Sequence, residues 1–252
     1  MTQSTNIRAV VTGHSRGLGE AVADALLARG VPVLALARGA NGPLGERHGD
    51  ALVQVEIDLA DPRSIERWLD GGALARFVSS AERVLLVNNA GTVQPMGPMP
   101  AQSPAAVAAA VALNVAAPMM LAAALGAAVA GRPSGAAELR VMHVSSGAGR
   151  NAYPGWSVYG ATKAALDHHA RAAALDRVPG VRIESLAPGV IDTGMQAEIR
   201  STDEARFPLR ERFVALDRDK ALASPADCAA RLVAHLLSAR FGQQPATDLR
   251  EL

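Results

Sequence analysis

The sequence predicts one α/β domain, a doubly wound parallel sheet with helices on both faces. Three observations lead there. Short apolar runs at 7–12, 31–37, 51–59, 83–91, 139–146 and 181–189 recur along the chain. The segments between most of them are long enough for a crossover helix, and such strand–helix alternation builds a parallel sheet covered on both sides. Hydrophobic residues make up 49% of the 252 residues, enough for a large core, and no repeat or low-complexity linker divides it. Residues 1–252 therefore read as one unit.

Each element follows from its residues. "IRAVVT" (7–12) is apolar throughout and stops at a glycine-rich turn. "GEAVADALLARG" (19–30) has helical spacing, with Val22 and Leu26 on one face and Arg29-Gly30 as the stop. "VPVLALA", "ALVQVEIDL", "RVLLVNNAG", "LRVMHVSS" and "VRIESLAPG" read as buried strands. The alanine-rich stretch 105–131 is long enough to span a bilayer. Asn114 and Pro118 interrupt it and no basic cluster flanks it, so it is expected to be a buried helix packed closely on its neighbours rather than a membrane segment. Residues 195–220 are strongly charged with few core positions, and are expected to form a mobile excursion over the substrate side. The ending "GQQPATDLREL" offers few apolar positions for a last strand.

Bulk properties exclude several classes. A net charge of +1 gives no electrostatic case for nucleic acid or an anionic membrane. The lone Cys228 precludes an internal disulfide and suits a reducing compartment. "MTQSTNIRAVV" lacks the basic start and apolar run of a secretory leader, so a cytoplasmic location is expected. His168 and His169 are adjacent and point to different sides of a helix, and His143 falls in a core strand, so no metal site is expected. "HVSSGAG" lacks the G-x-S-x-G of a nucleophile elbow.

The first strand runs into "TGHSRGLG". A strand, a glycine turn and a helix N-terminus in that order form the phosphate-binding end of a Rossmann-type dinucleotide site. Gly13 permits the tight turn; Gly17 and Gly19 permit close approach of phosphates and of the neighbouring strand. The spacing departs from G-x-G-x-x-G. The second strand ends at Arg38, where NAD-binding units commonly place an acid for the ribose hydroxyls. With Arg16 in the turn, two guanidinium groups suit the 2′-phosphate of NADP(H). The alternative is that both are ordinary solvated arginines.

The chain has two tyrosines and two lysines, and "SVYGATKAALD" sets Tyr159 and Lys163 four positions apart, on one helix face. Reducing a ketone with hydride leaves an alkoxide that needs a proton. A phenol of pKa about 10 is a poor acid at neutral pH. A neighbouring ammonium stabilises the phenolate, so Lys163 is expected to lower the pKa of Tyr159.

These motifs, in this order, resemble the short-chain dehydrogenase/reductase family over nearly the whole chain. "TGHSRGLG" matches its T-G-x-x-x-G-x-G turn, "NNAG" (88–91) its segment after the fourth strand, and "PGVIDT" (188–193) its nicotinamide-side motif. Asn114, Ser146, Tyr159 and Lys163 fall where the family keeps its catalytic tetrad. Ser146 rather than Ser145 lies at the family's thirteen-residue spacing from the tyrosine.

The resemblance implies that Tyr159 is the general acid and that Ser146 polarises the carbonyl. It implies that Lys163 also holds the nicotinamide ribose and that Asn114 binds a relay water. It sets the cofactor against Gly13, Ser15, Arg16, Gly17, Leu18, Gly19, Arg38, Asp58, Asn89, Ala90, Gly91, Tyr159, Lys163, Pro188, Gly189, Ile191 and Thr193. In that scheme Asp58 meets adenine, or else caps the following helix, and Thr193 meets the carboxamide.

The downstream half is most similar to sepiapterin reductases and bacterial benzil reductases, on "GWSVYGATKAALD", "APGVIDTGMQAEIR" and "TDLREL". That implies a small dicarbonyl substrate against Ser146, Trp156, Tyr159 and Asp248. Asp248 matches the carboxylate with which sepiapterin reductases anchor the pterin; its alternative is an exposed residue on a frayed terminus. Two rival readings are a 3-oxoacyl reductase of fatty-acid type and a non-catalytic dinucleotide-sensing protein on the same fold. The resemblance also implies a homodimer or homotetramer through the helix beginning near Ser157.

Overall fold

The computed structural model describes residues 6–130, 132 and 137–252. Seven strands, β1 (Ile7–Thr12), β2 (Val33–Ala37), β3 (Leu52–Glu56), β4 (Arg83–Asn88), β5 (Glu138–Val144), β6 (Val181–Ala187) and β7 (Ala246–Asp248), form one sheet in the order β3-β2-β1-β4-β5-β6-β7. Every pairing is parallel. The helices are α1 (Gly17–Leu27), α2 (Gly42–His48), α3 (Pro62–Asp70), α4 (Ala73–Val78), α5 (Pro104–Val111), α6 (Ala117–Ala130), α7 (Ser157–Leu175), α8 (Gly194–Ser201), α9 (Arg210–Arg218) and α10 (Pro225–Leu237).

The inner strands β2 and β4 are apolar and buried on both faces because both faces are covered, whereas the edge strand β3 buries only Leu52. Ala9, Val11, Val33, Leu85 and Met142 point into a core shared with α1 and α10. Their neighbours Val10, Leu34, Leu86 and Val141 point the other way, into a core closed by α3, α4, α6 and α7. Local chemistry sets several helix starts: Asn41, Asp61, Ser103 and Ser224 each accept a hydrogen bond from a first-turn backbone N–H, with Pro in that turn.

The strands are shorter than the apolar runs at their carboxyl ends. Residues 57–59, 89–91, 145–146 and 188–189 have left the ladder. The sheet order reverses beside β1, and these ends turn outward there to line a cleft, as open α/β sheets do at such a point.

Three expectations are corrected. The alanine-rich stretch is not uniformly buried: Ala105, Ala108, Ala109, Val111, Ala123 and Ala127 are exposed. One side of α6 packs on α3, α4 and β5 within the domain, and a π-helical turn at Ala112–Ala116 separates α5 from α6. Residues 195–220 do have a core. Ile199, Phe207 and Phe213 are buried against Val93, Met96, Trp156 and Tyr159, so α8 and α9 form a packed cap.

The final strand does dock, largely through polar contacts. The Thr247 hydroxyl bonds the Glu184 carboxylate, Arg150 Nη2 donates to the Thr247 carbonyl at 2.6 Å, and Leu249 is sunk in the core. Glu184 is itself buried, and also accepts from His235 Nε2 and the Gly242 N–H.

Candidate active site

The carboxyl ends of the strands and the α8–α9 cap enclose a cleft of about 880 Å³. Its floor at one end is the glycine turn. Gly13 (φ +76°) and Gly17 (φ +62°) occupy the left-handed region, where a side chain is strained. Gly19 is required by contact: a Cβ there would lie 2.1 Å from the Gly13 carbonyl oxygen. Thr12 Oγ1 accepts the N–H groups of Asn89 and Ala90 at 2.9 and 3.0 Å, and Asn89 Nδ2 donates to the Thr12 carbonyl at 3.0 Å. The "NNAG" turn after β4 is thereby stitched to the turn after β1.

A second network fixes the outer rim. His14 is fully buried, and its Nε2 meets Gln54 Oε1 at 2.8 Å. The same oxygen accepts the Asn41 N–H at 2.6 Å, and Asn41 Nδ2 reaches the Ser15 carbonyl. The glycine turn and the loop after β2 are thus held together. Each carries an exposed arginine on the cleft wall, Arg16 and Arg38, and neither has an ion-pair partner among the described residues. Asp58 lies on the same wall and accepts the Ala60 N–H; Asp61, not Asp58, caps α3.

At the other end, Ser146, Tyr159 and Lys163 line one wall. Lys163 is buried; its ammonium donates to the Val144 carbonyl at 2.8 Å and stands 5.7 Å from the centre of the Tyr159 ring. Burial pushes Lys163 down to about 8, opposed by the charge of Asp167. The expected lowering of Tyr159 is not found. Burial raises its pKa and hydrogen bonding with Ser146 only partly offsets this, because the phenol is desolvated while the ammonium is directed at a backbone carbonyl.

The sequence-predicted residues gather in this cleft, from Gly13, Ser15, Arg16, Gly17, Leu18 and Gly19 to Pro188, Gly189, Ile191, Thr193 and Asp248. Asn114 is the exception. It sits behind the wall in the π-helical turn, with Oδ1 accepting the Thr92 N–H at 2.9 Å and Nδ2 donating to the Thr92 carbonyl at 2.8 Å and to Thr162 Oγ1. Gly91 brings it near the lysine: a Cβ on Gly91 would lie 3.3 Å from Asn114 Oδ1 and 3.7 Å from Lys163 Nζ.

Asp248 is buried rather than frayed, and both its oxygens accept from Arg250. Arg250 Nε donates to Oδ1 at 2.8 Å and Nη2 to Oδ2 at 2.6 Å, and this pairing holds the carboxyl below its ordinary range.

Sequence reasoning missed part of the lining. Tyr153, Gln94, Met195, Gln196 and Phe213 also face the cleft. Trp156 is the hub of an aromatic cluster, stacked on Phe207 at 4.7 Å and tilted against Tyr153, Tyr159 and Phe213. In a chain only 3% aromatic, that concentration at one site is itself a signal.

The cradle fits a dinucleotide. A side chain at Gly13 or Gly19 would fill the turn, its backbone opens at the N-terminus of α1, and unpaired guanidinium groups border it.

The known proteins agree with this geometry. The short chain dehydrogenase family matches residues 8–204. A benzil reductase ((S)-benzoin forming) of Bacillus cereus is 33% identical over 234 residues, covering 90% of this chain and 92% of its own. A sepiapterin reductase of Mus musculus is 31% identical, covering 92% of both chains. The crystal structure of a short-chain dehydrogenase/reductase from Burkholderia vietnamiensis is 48% identical over 98% of both chains, with a TM-score of 0.71. Sheet order, glycine turn and the match across most of the chain lead to one assignment: this chain belongs to the short chain dehydrogenases, oxidoreductases that use NAD(P)(H).

Proposed function

We propose that this protein reduces a ketone of a small 1,2-dicarbonyl with NADPH, and that an aryl diketone of the benzil type is its best substrate. The observation that carries the reading is the convergence of Ser146, Tyr159 and Lys163 on one wall of a cleft whose other wall is aromatic and apolar.

Bound nicotinamide supplies the hydride. The chain's own groups handle the oxygen. Ser146 donates a hydrogen bond to the carbonyl oxygen and stabilises its developing charge. Tyr159 delivers the proton from its phenol oxygen; with its pKa raised by burial, it stays protonated in the free protein at neutral pH. The Lys163 ammonium stabilises the phenolate left behind. Asn114 fixes the Thr92 backbone and faces Lys163 across Gly91, which suits it to hold a water on the proton's return path.

NADPH is favoured over NADH because Arg16 and Arg38 are cations at the rim with no ion-pair partner among the described residues, and a 2′-phosphate would pair with both. The benzil reading is favoured over the pterin reading by Asp248. A pterin edge offers N–H donors, but the Asp248 charge is already paired with Arg250 and offers them a weaker acceptor, whereas benzil needs none. The exposed alanines of α5, α6 and α7, together with the exposed apolar side chains of Val111 and Leu175, offer a face for a homodimer or homotetramer. A cytoplasmic location belongs to the same proposal, supported by the single buried thiol of Cys228 and tested by cell fractionation.

The test is consumption of NADPH and of NADH with benzil, an alkyl 1,2-diketone, sepiapterin and a 3-oxoacyl thioester. Turnover of the diketones with NADPH is expected. Turnover of the thioester alone would overturn the substrate assignment.

A further inference from the structure

Asp167 is a buried carboxylate, 1% exposed, one turn beyond Lys163 on α7. Its Oδ1 accepts from Ser145 Oγ at 2.7 Å and from Ser185 Oγ at 2.6 Å. Its Oδ2 accepts from Arg150 Nε at 3.2 Å. Ser145 and Arg150 flank the short loop that carries Ser146 and the 3₁₀ turn Gly147–Gly149. That loop lies directly on α7: a Cβ on Gly149 would be 2.9 Å from the Lys163 carbonyl carbon, and one on Gly160 would be 3.0 Å from the Ala148 oxygen. Arg150 continues the chain of contacts to the Thr247 carbonyl, next to Asp248.

Burying a carboxylate costs several kcal/mol before pairing, and a buried ion pair is often no more stabilising than packed apolar groups. A clamp needed only for stability could have been apolar. This one spans the two elements that must register for the reaction, and it brings a negative charge to the lysine.

We propose that Asp167 is a positioning residue of the reduction, its carboxylate locking both flanks of the Ser146 loop to the helix of Tyr159 and Lys163. One turn along α7 from Lys163, the same negative charge favours the ammonium. The inference rests on the functional reading above. It fits the direction in which Asp167 acts on Lys163, upward against the pull of burial. The other groups facing Lys163 do not compete near pH 8. Tyr159 lies on its own helix with its pKa raised. His143 on β5 is pushed down to about 3 by burial, His169 and Lys163, and His169 behind it is lowered by burial. Asn114 is uncharged. Arg150 is the cation on the far side of Asp167.

The chain's two lysines, Lys163 and Lys220, make the test direct. Protein labelled with ¹³Cε-lysine gives two signals, and Lys220→Arg assigns them. The Lys163 midpoint is expected near 8 in the parent. Asp167→Asn keeps an acceptor for the serines and removes the charge, so the midpoint should fall by about one pH unit or more. Ser145→Ala leaves the charge and the midpoint alone, but should lower kcat about tenfold with little change in the KM for NADPH. Asp167→Asn should lower kcat by about a hundredfold through misplacement and lost charge together.

An unmoved midpoint in Asp167→Asn overturns the electrostatic role. A kcat within threefold of the parent in both Asp167→Asn and Ser145→Ala overturns the positioning role. Should Asp167→Asn fail to fold, a kcat within threefold of the parent in Ser145→Ala overturns the positioning role by itself. The titration is read without substrate, so an inactive parent with moving midpoints would count against the functional reading and not against Asp167.

Discussion

Replacing Gly19 by alanine perturbs the cofactor end through one methyl group. The added carbon would stand 2.1 Å from the Gly13 carbonyl oxygen and 2.4 Å from Asn89 Nδ2, more than an ångström inside ordinary contact. Neither neighbour yields cheaply. Gly13 is turn backbone whose N–H bonds the Leu36 carbonyl at 2.8 Å, and Asn89 Nδ2 is tied to the Thr12 carbonyl. The turn must therefore move by about an ångström, and its cleft-lining backbone moves with it. A misplacement of that size costs about a hundredfold in turnover, and NADPH affinity should fall with it. Overpacking costs a further ~1–3 kcal/mol of stability, several degrees in Tm for a chain of this length. The assay is titration of NADPH fluorescence beside a melt followed by circular dichroism. Gly126→Ala is the control. It lies in α6 with nothing within 4 Å of the added carbon, and should bind NADPH as the parent does while gaining about 0.5–1 kcal/mol. NADPH affinity of Gly19→Ala within threefold of the parent would refute the reasoning.

Other outcomes follow from the same coordinates. Arg38→Asp should move cofactor preference from NADPH toward NADH in kcat/KM; equal use of both cofactors by the parent would contradict the assignment of the rim arginines. Arg250→Leu frees the Asp248 carboxylate and should raise sepiapterin turnover relative to benzil turnover, with an unchanged ratio counting against the clasp. His143, neutral in the fold with its pKa near 3, takes up a proton on unfolding below about pH 6.5. Stability should therefore be lost as pH falls, by about 2 kcal/mol for this group between pH 7.5 and pH 5, and His143→Gln should remove that part of the slope in urea titrations. Light scattering at micromolar concentration should give a dimer or tetramer mass, and a monomer would contradict the assembly.

Much of this architecture is legible in the residues. Largely apolar runs mark six of the strands, most completely β2 and β4, which are covered on both faces and have no polar side to show. β7 escapes because its docking depends on Glu184, Arg150 and Thr247, contacts between residues far apart in the chain. The α8–α9 cap escapes for a related reason. Its apolar positions, Ile199, Phe207 and Phe213, are spaced across two short helices and a turn, so no single period gathers them.

Of the candidate site, the glycine turn and the Tyr159–Lys163 pair are readable because their chemistry is local. The pKa of Tyr159 is not, because desolvation depends on everything packed around the ring. Asp167 continues the spacing that links Tyr159 to Lys163, yet its meaning lies in Ser145, Ser185 and Arg150, which only the fold brings to it.

The most direct measurement compares the parent and Tyr159→Phe, with NADPH and benzil, beside NADPH binding to each. The phenylalanine keeps the ring that Trp156 and Lys163 pack against and loses only the phenol oxygen. Tyr159 as the proton donor predicts benzil-dependent NADPH oxidation by the parent, its near-complete loss in the variant, and NADPH affinity that is largely unchanged. Turnover by Tyr159→Phe close to that of the parent would contradict the account.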